Sequence, residues 1–390
     1  MARKKQLTKT KKDKLKKLFD LYSKGKLTLD ELSILSELSK TRVLEEYHKI
    51  GKKKKILLVC GGAGFIGSNF IHYMLRKYPG YKIINYDKLT YAGNLDNLKD
   101  VNKDPNYTFI KGDIADKEKL DEVFEKNKID YVINWAAETH VDRSIHGGAR
   151  EFLMTNVIGV HTLLEAVKKH QIKRFIQIST DETYGSVELD EDRSFSEETA
   201  FAPNVPYAAA KAGGDLMCRA YFRTHNVPVI VTHCSNNYGP YQYPEKMIPF
   251  FIFRGLAKEN IPLYGDGKHV RDWIYVEDHC RAIDDILHKG KPGEVYNIGA
   301  NQERHNIDVA RAILKILGRQ DNLITFVDDR PGHDRRYSLN ISKISNEFNW
   351  GPTKVFEETL PEVIDWYLKN TWWIGGVKKR VKGFNLHIKK

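Results

Sequence analysis

Tyr207-Ala208-Ala209-Ala210-Lys211 follows a proline-containing loop and reads as the start of a helix. On a helix, side chains four residues apart share a face. A phenol of ordinary pKa, about 10, is a poor base at neutral pH, and a nearby ammonium favours its ionised form. Such a tyrosine can take the proton of an alcohol while hydride leaves the same carbon. Alone, the spacing fits an exposed i,i+4 pair equally well. Thr180 adds a hydroxyl able to bond the same alcohol, and Asp181-Glu182 follows it directly after a strand-like run ending at Ser179. Two adjacent carboxylates either cap a turn or act as acid and base, the pairing that eliminating water requires. Environments that separate their pKa values assign the roles.

The elements that must position these groups begin at Ile56-Leu57-Leu58-Val59-Cys60-Gly61-Gly62-Ala63-Gly64-Phe65-Ile66-Gly67. An apolar run meets glycines and then a helical stretch from Ser68 to Tyr78. The order is strand, tight turn, helix N-terminus, with Gly62-x-Gly64-x-x-Gly67 as a dinucleotide fingerprint. A second strand-like run from Lys82 to Tyr86 ends at Asp87, twenty residues past Gly67. An acid there accepts ribose hydroxyls and opposes a 2′-phosphate, so the expected cofactor is NAD rather than NADP. Further strands are expected at Tyr107–Ile110, Tyr131–Trp135 and Arg174–Ser179, and helices at 116–126 and 152–170. This alternation predicts parallel βαβ units in a doubly wound sheet. Ligands then sit beyond the strand ends, at Gly61, Asp87, Asp113, Ala136-Ala137-Glu138, Ser179 to Glu182, and Ser235-Asn236-Asn237. Past Asn237 the loops become rich in Tyr, Pro, Gly, Arg and His, which suggests a smaller domain closing over a polar ligand.

The predicted class is α/β. It comprises a Rossmann domain over 55–235, to which later segments return, a smaller α/β substrate domain over 236–390, and a basic helical extension over 1–54. Residues 1–55 carry 18 of the 63 Lys and Arg and 7 of the 51 Asp and Glu, so +11 of the net +12 lies there. Helical patterns run through Leu15, Leu18, Phe19 and Tyr22, and from Thr28 to Ile50, with Thr28 and Glu31 as a capping box. A helix-turn-helix spacing around Glu31 to Val43 is loose, and Glu45 and Glu46 stand where a nucleic-acid reader is basic. Nucleic-acid binding is therefore disfavoured and confined to residues 1–55. No apolar run reaches the roughly 20 residues of a membrane span. Cys60, Cys218, Cys234 and Cys280 form no C-x-x-C pair and read as reduced thiols of a cytoplasmic protein, with no metal expected.

Taken together, Thr180-Asp181-Glu182 before Tyr184-Gly185, with Tyr207 and Lys211, resembles the extended short-chain dehydrogenases/reductases. More narrowly, the chain is similar to the nucleotide-sugar 4,6-dehydratases from about residue 55 to Trp372-Trp373. Supporting stretches are 87–95, 136–144, 271–279 and 329–337. The resemblance implies that Tyr207, Thr180 and Lys211 serve oxidation at C4 of a glucose ring by NAD. It implies that Glu182 removes the C5 proton and Asp181 protonates the departing C6 hydroxyl. Gly61, Gly64, Phe65, Ile66, Gly67, Asp87, Lys88, Asp113, Ile114, Ala136, Ala137 and Thr139, with Tyr207 and Lys211, would hold the cofactor. His140, Thr180, Asn236, Glu245, Lys246, Tyr264, Arg271, Asn306, Arg330, His333 and Tyr337 would hold a thymine or uracil nucleoside diphospho-glucose. A homodimer through helices 152–170 and 206–224 is also implied. A 4-epimerase or decarboxylase, or a dinucleotide-sensing nucleic-acid-binding protein, is the alternative; the superfamily's epimerases lack the acid pair. Departures are Cys60, where threonine is usual, a short segment between Gly185 and Tyr207, and residues 1–55.

Overall fold

Apolar runs of four to seven residues set the architecture, because a strand covered on both faces must be apolar throughout. In the computed structural model, residues 9–23, 26, 27, 29–39, 43, 54–78 and 80–380 are described. Strands β1 (Lys55–Cys60), β2 (Tyr81–Asp87), β3 (Tyr107–Lys111), β4 (Tyr131–Asn134), β5 (Arg174–Thr180), β6 (Val229–Cys234) and β10 (Val295–Ile298) form one sheet. Its order is β10-β6-β5-β4-β1-β2-β3, and every pairing is parallel. The order reverses at β1, which opens a crevice above the carboxyl ends of β1 and β4. Separate buried clusters fill the two faces.

The strands and helices expected from residue 56 onward are found, with small shifts at their ends. The helix expected over 152–170 is interrupted: Arg150–Leu153 and Val160–Lys169 are α-helical, and Met154–Gly159 is a π-helical turn. Smaller sheets follow, one of β7 (Asn236–Tyr238), β9 (Val270–Tyr275) and β11 (Glu303–His305), the other of β8 (Ile261–Tyr264) and β12 (Ile324–Val327). With helices 247–257, 306–316 and 356–369 they enclose a third cluster, rich in aromatic residues. Near the N-terminus, helices Lys9–Ser23 and Leu29–Ser36 bury Leu15, Phe19, Tyr22 and Leu32 together with Val43. The helix expected over 28–50 instead ends at Ser36, where Glu37 takes the left-handed φ of 57°; Thr28 and residues 40–42 and 44–50 lie outside the described residues. No helix among the described residues is long and apolar enough to cross a membrane.

Candidate active site

A cavity of about 320 Å³ lies beyond the carboxyl ends of β1 to β6. The tight turn after β1 is made by Gly61, with φ 75°, and not by Gly62. The working spacing is therefore Gly61-x-x-Gly64-x-x-Gly67, a correction to the motif read from the sequence. A Cβ on Gly61 would stand 2.5 Å from Ala136 N, and one on Gly67 2.5 Å from Gly61 O, so neither position admits a side chain. Gly64 caps helix Phe65–Lys77 with no side-chain bond, leaving the helix's first N–H groups for a ligand. Asp87 Oδ2 accepts from Ala63 N–H at 2.9 Å and Oδ1 from Leu89 N–H at 2.7 Å. Burial raises the Asp87 pKa, and these two bonds oppose the rise. Lys88 Nζ lies 2.7 Å from Asp113 Oδ2. Phe65, Ile66, Ile114, Ala136, Ala137 and Thr139 complete this wall. A glycine-lined turn, an uncapped helix N-terminus and a carboxylate at the end of β2 fit a dinucleotide.

Opposite stand the reactive groups. Pro206 opens helix Pro206–His225 and places Tyr207 in its first turn, where Tyr207 N–H donates to Ser144 Oγ at 3.3 Å. The buried phenol is hydrogen-bonded to the Thr180 side chain. Burial first, and then the charge of Glu182, push its pKa well up; the Thr180 bond opposes them. Lys211 is buried on the same helical face, but its Nζ donates to Ile178 O at 2.6 Å. Burial lowers its pKa and Asp215 opposes that. The ammonium expected near the phenol is thus tethered to a carbonyl, because a buried cation takes a strong acceptor within reach.

The acid pair is separated by its surroundings. Asp181 is buried beneath the wall, and burial together with the charge of Glu182 pushes its pKa well up. Glu182 lines the cavity; burial raises its pKa too, but Arg330 and Arg271 pull the other way. Asp181 Oδ2 and Glu182 Oε2 are buried without a hydrogen-bond partner. Arg271 opposes the rise at both carboxyls and Arg330 only at Glu182, so of the two Glu182 has the surroundings that favour ionisation more.

Of the residues expected to hold a sugar nucleotide, Asn236, Glu245 and Lys246 line the cavity, and Lys246 Nζ donates to Thr139 O at 3.0 Å. His140 Nε2 lies 3.6 Å from Glu245 Oε2. Tyr264, Arg271, Asn306, Arg330, His333 and Tyr337 are not on that wall: Arg271 and Arg330 act on Glu182 and Glu182 on Tyr337, while His333 faces Arg330 and Arg271 and meets the Tyr264 ring at 5.8 Å. The Arg271 guanidinium lies 4.2 Å from the centre of the Tyr337 ring, and Tyr337 OH donates to Asp334 Oδ2 at 2.8 Å. Arg330 lies 3.5 Å from Asp142. Asn306 N–H donates to His269 O at 2.9 Å, while its Oδ1 is buried without a partner. Asp142, Asp334 and Tyr91, whose hydroxyl donates to Glu245 at 2.9 Å, were missed by the sequence reading. Each lies inside a stretch quoted for the resemblance, flanking a chosen cation or aromatic ring, and that flanking was the available signal.

His269, Asp329 and His333 form the one three-donor group among the described residues close enough to hold a metal ion. Burial, then Arg330, Arg271 and Arg335, drive the His333 pKa down. The same guanidinium field repels a metal cation and suits a diphosphate.

The family model for GDP-mannose 4,6 dehydratase matches residues 58–363. A dTDP-glucose 4,6-dehydratase of Xanthomonas campestris pv. campestris is 46% identical over 338 residues, spanning 82% of this chain and 95% of the relative. A crystal structure of dTDP-glucose 4,6-dehydratase from Bacillus anthracis in complex with NAD superposes with TM-score 0.77 at 50% identity, covering 83% of this chain and 99% of that one. A UDP-glucuronic acid 4-epimerase from Bacillus cereus, in complex with UDP-glucuronic acid and NAD, gives TM-score 0.75 at 27% identity, with 80% and 99% covered.

Proposed function

The chain belongs to the nucleotide-sugar 4,6-dehydratases of the extended short-chain dehydrogenase/reductase superfamily, and from that premise we propose that it dehydrates dTDP-glucose to the 4-keto-6-deoxy nucleotide sugar. The observation that carries this reading is the acid pair: two adjacent buried carboxyls, Glu182 lining the cavity and Asp181 beneath it, beside one buried phenol. An epimerase has no use for a second acid, so the pair favours elimination. Residues 55–235 are assigned to the dinucleotide and 236–390 mainly to the sugar nucleotide.

The β1 turn and Asp87 would hold NAD, which when bound would accept the C4 hydride and return it to C6, so that the sugar undergoes no net oxidation. Tyr207 takes the proton of the C4 hydroxyl, with Thr180 holding that oxygen and Lys211 providing fixed positive charge. The C4 ketone acidifies the C5 hydrogen, which Glu182 removes. Asp181, kept protonated by burial, gives its proton to the departing C6 hydroxyl, and water leaves; as C6 is reduced, Glu182, its proton exchanged with solvent, protonates C5. Arg271 and Arg330 bind the diphosphate and hold Glu182 toward its ionised form. Purified protein incubated with dTDP-glucose in D₂O is expected to yield the 4-keto-6-deoxy product with deuterium at C5, and to turn over UDP-glucose more slowly. Complete retention of the C5 hydrogen would exclude Glu182-driven elimination.

The active unit is a homodimer in this reading. Leu153, Met154 and Ile158 are 50%, 44% and 44% exposed, and Leu216 on the adjoining helix 206–225 is 54% exposed. Large apolar side chains grouped on two packed helices mark an association surface. Leu216→Glu with Ile158→Glu is expected to shift the sedimenting species from dimer to monomer; an unshifted wild-type dimer places the interface elsewhere. We place the enzyme in the cytoplasm, where its four buried, unbridged cysteines stay reduced.

A further inference from the structure

We propose that the C-terminal helix Thr371–Arg380 clasps the dinucleotide turn through a single indole N–H, which makes Trp373 a positioning residue for the cofactor. The proposal rests on reading the β1 turn as the NAD cradle. Trp373 is fully buried, and its Nε1–H donates to Asn97 Oδ1 at 2.7 Å. Asn97 sits in the short 3-10 turn Leu95–Leu98, and its Nδ2 donates to Ala63 O at 3.0 Å. Ala63 lies inside the glycine turn. Its carbonyl also accepts from Asn94 N–H at 2.9 Å, and its own N–H donates to Asp87 Oδ2 at 2.9 Å. A chain of hydrogen bonds therefore runs from the last described helix to the carboxylate that reads the ribose. The Asn97 amide has one usable orientation. An indole can only donate and a carbonyl can only accept, so Oδ1 faces Trp373 and Nδ2 faces Ala63.

Together with the preceding helix Phe356–Lys369, the same helix also packs on the opposite wall. Asn97 O lies 2.7 Å from His72 Nε2, and the His72 ring stacks on Tyr241 with centroids 5.8 Å apart. Tyr241 stands 4.7 Å from Trp366 and 6.2 Å from Trp373. Its φ of 68° is left-handed, a strained setting for a bulky residue that the surrounding rings must hold. Tyr367 OH donates to Gln242 O at 3.0 Å, and Gln242 and Tyr243 line the cavity. One aromatic wedge thus fixes the dinucleotide turn on one side and the 239–243 loop on the other. Trp373 touches no reacting atom, so its contribution falls on cofactor affinity and not on the chemical step.

The experiment uses the full chain. Trp373→Phe keeps the ring and removes the N–H. Asn97→Ala leaves the wedge intact and removes the relay. Each is expected to raise the NAD dissociation constant about five-fold, the loss of roughly one buried hydrogen bond. At saturating NAD, kcat stays within two-fold of wild type. Amide exchange at Ala63, followed without cofactor, quickens in both. The double variant is no worse than Asn97→Ala alone, since both break one chain. Wild-type NAD affinity with unchanged Ala63 exchange in Trp373→Phe overturns the clasp. Wild-type protein that binds no NAD overturns the cofactor reading instead, and the exchange rates then decide the clasp independently.

Discussion

Tyr207→Phe is expected to lower kcat about 10²–10⁴-fold, the range removed with a positioned general base. The variant keeps the ring that meets Phe152 edge to face at 6.4 Å and loses only the hydroxyl bonded to Thr180. The phenol is buried and faces the charge of Glu182, both of which hold it neutral in the resting protein. To take the alcohol proton it must first release its own to solvent, and Thr180 then keeps the oxygen in line. Without the hydroxyl, the C4 alcohol loses its acceptor, since the Lys211 Nζ is turned to Ile178 O. The defect is therefore placed before the acid pair. In a single turnover no reduced nicotinamide appears, and C5 exchanges no deuterium. The Thr180 hydroxyl keeps its bonds to Asp181 Oδ1 and from Glu182 N–H, so stability changes by no more than about 1 kcal/mol, and NAD affinity is retained. A Tyr207→Phe variant that still oxidises C4 at the wild-type rate shows that another group takes the proton.

What could be read without coordinates follows from how local each signal is. The β1 turn and Asp87 were legible because strand, turn and helix N-terminus are contiguous and their glycines answer a steric demand. The shift from Gly62 to Gly61 was not legible. Both are glycines, and the choice depends on how closely Ala136, on a distant strand, approaches the turn. Tyr207 and Lys211 were rightly placed on one helical face, yet Lys211 bonds a carbonyl of β5, a tertiary contact that no spacing reports. The roles of Asp181 and Glu182 followed from resemblance alone. Their physical basis is the placement of Arg271 and Arg330, brought in from β9 and from the loop after β12. The π-helical turn over Met154–Gly159 leaves no periodicity signal. The long-range charges and the inserted turn are properties of packing, and a linear reading meets only their ingredients.

Glu182→Gln is expected to stop dehydration, with kcat lowered about 10²–10⁴-fold, while leaving C4 oxidation intact. The amide has nearly the shape of the carboxylate, so the 3-10 turn Asp181–Tyr184 keeps its place. It cannot accept the C5 proton. Reduced nicotinamide then accumulates in a single turnover, and C5 keeps its hydrogen in D₂O. Two linked shifts separate this from a general loss of fit. The Glu182 charge raises the pKa of Tyr207 and of Asp181, so neutralising it lowers both. The C4 oxidation profile is expected to move toward lower pH, because the phenol releases its proton more readily. Asp181 becomes less fully protonated at neutral pH, which weakens the general acid as well. Wild-type kcat should rise with pH along an acid limb set by Glu182, whose raised pKa places that limb above the usual glutamate value of about 4.3. In the variant this limb is absent. If Glu182→Gln dehydrates the sugar at the wild-type rate with the acid limb intact, the base is a different group, and Asp181 alone must be tested as both acid and base.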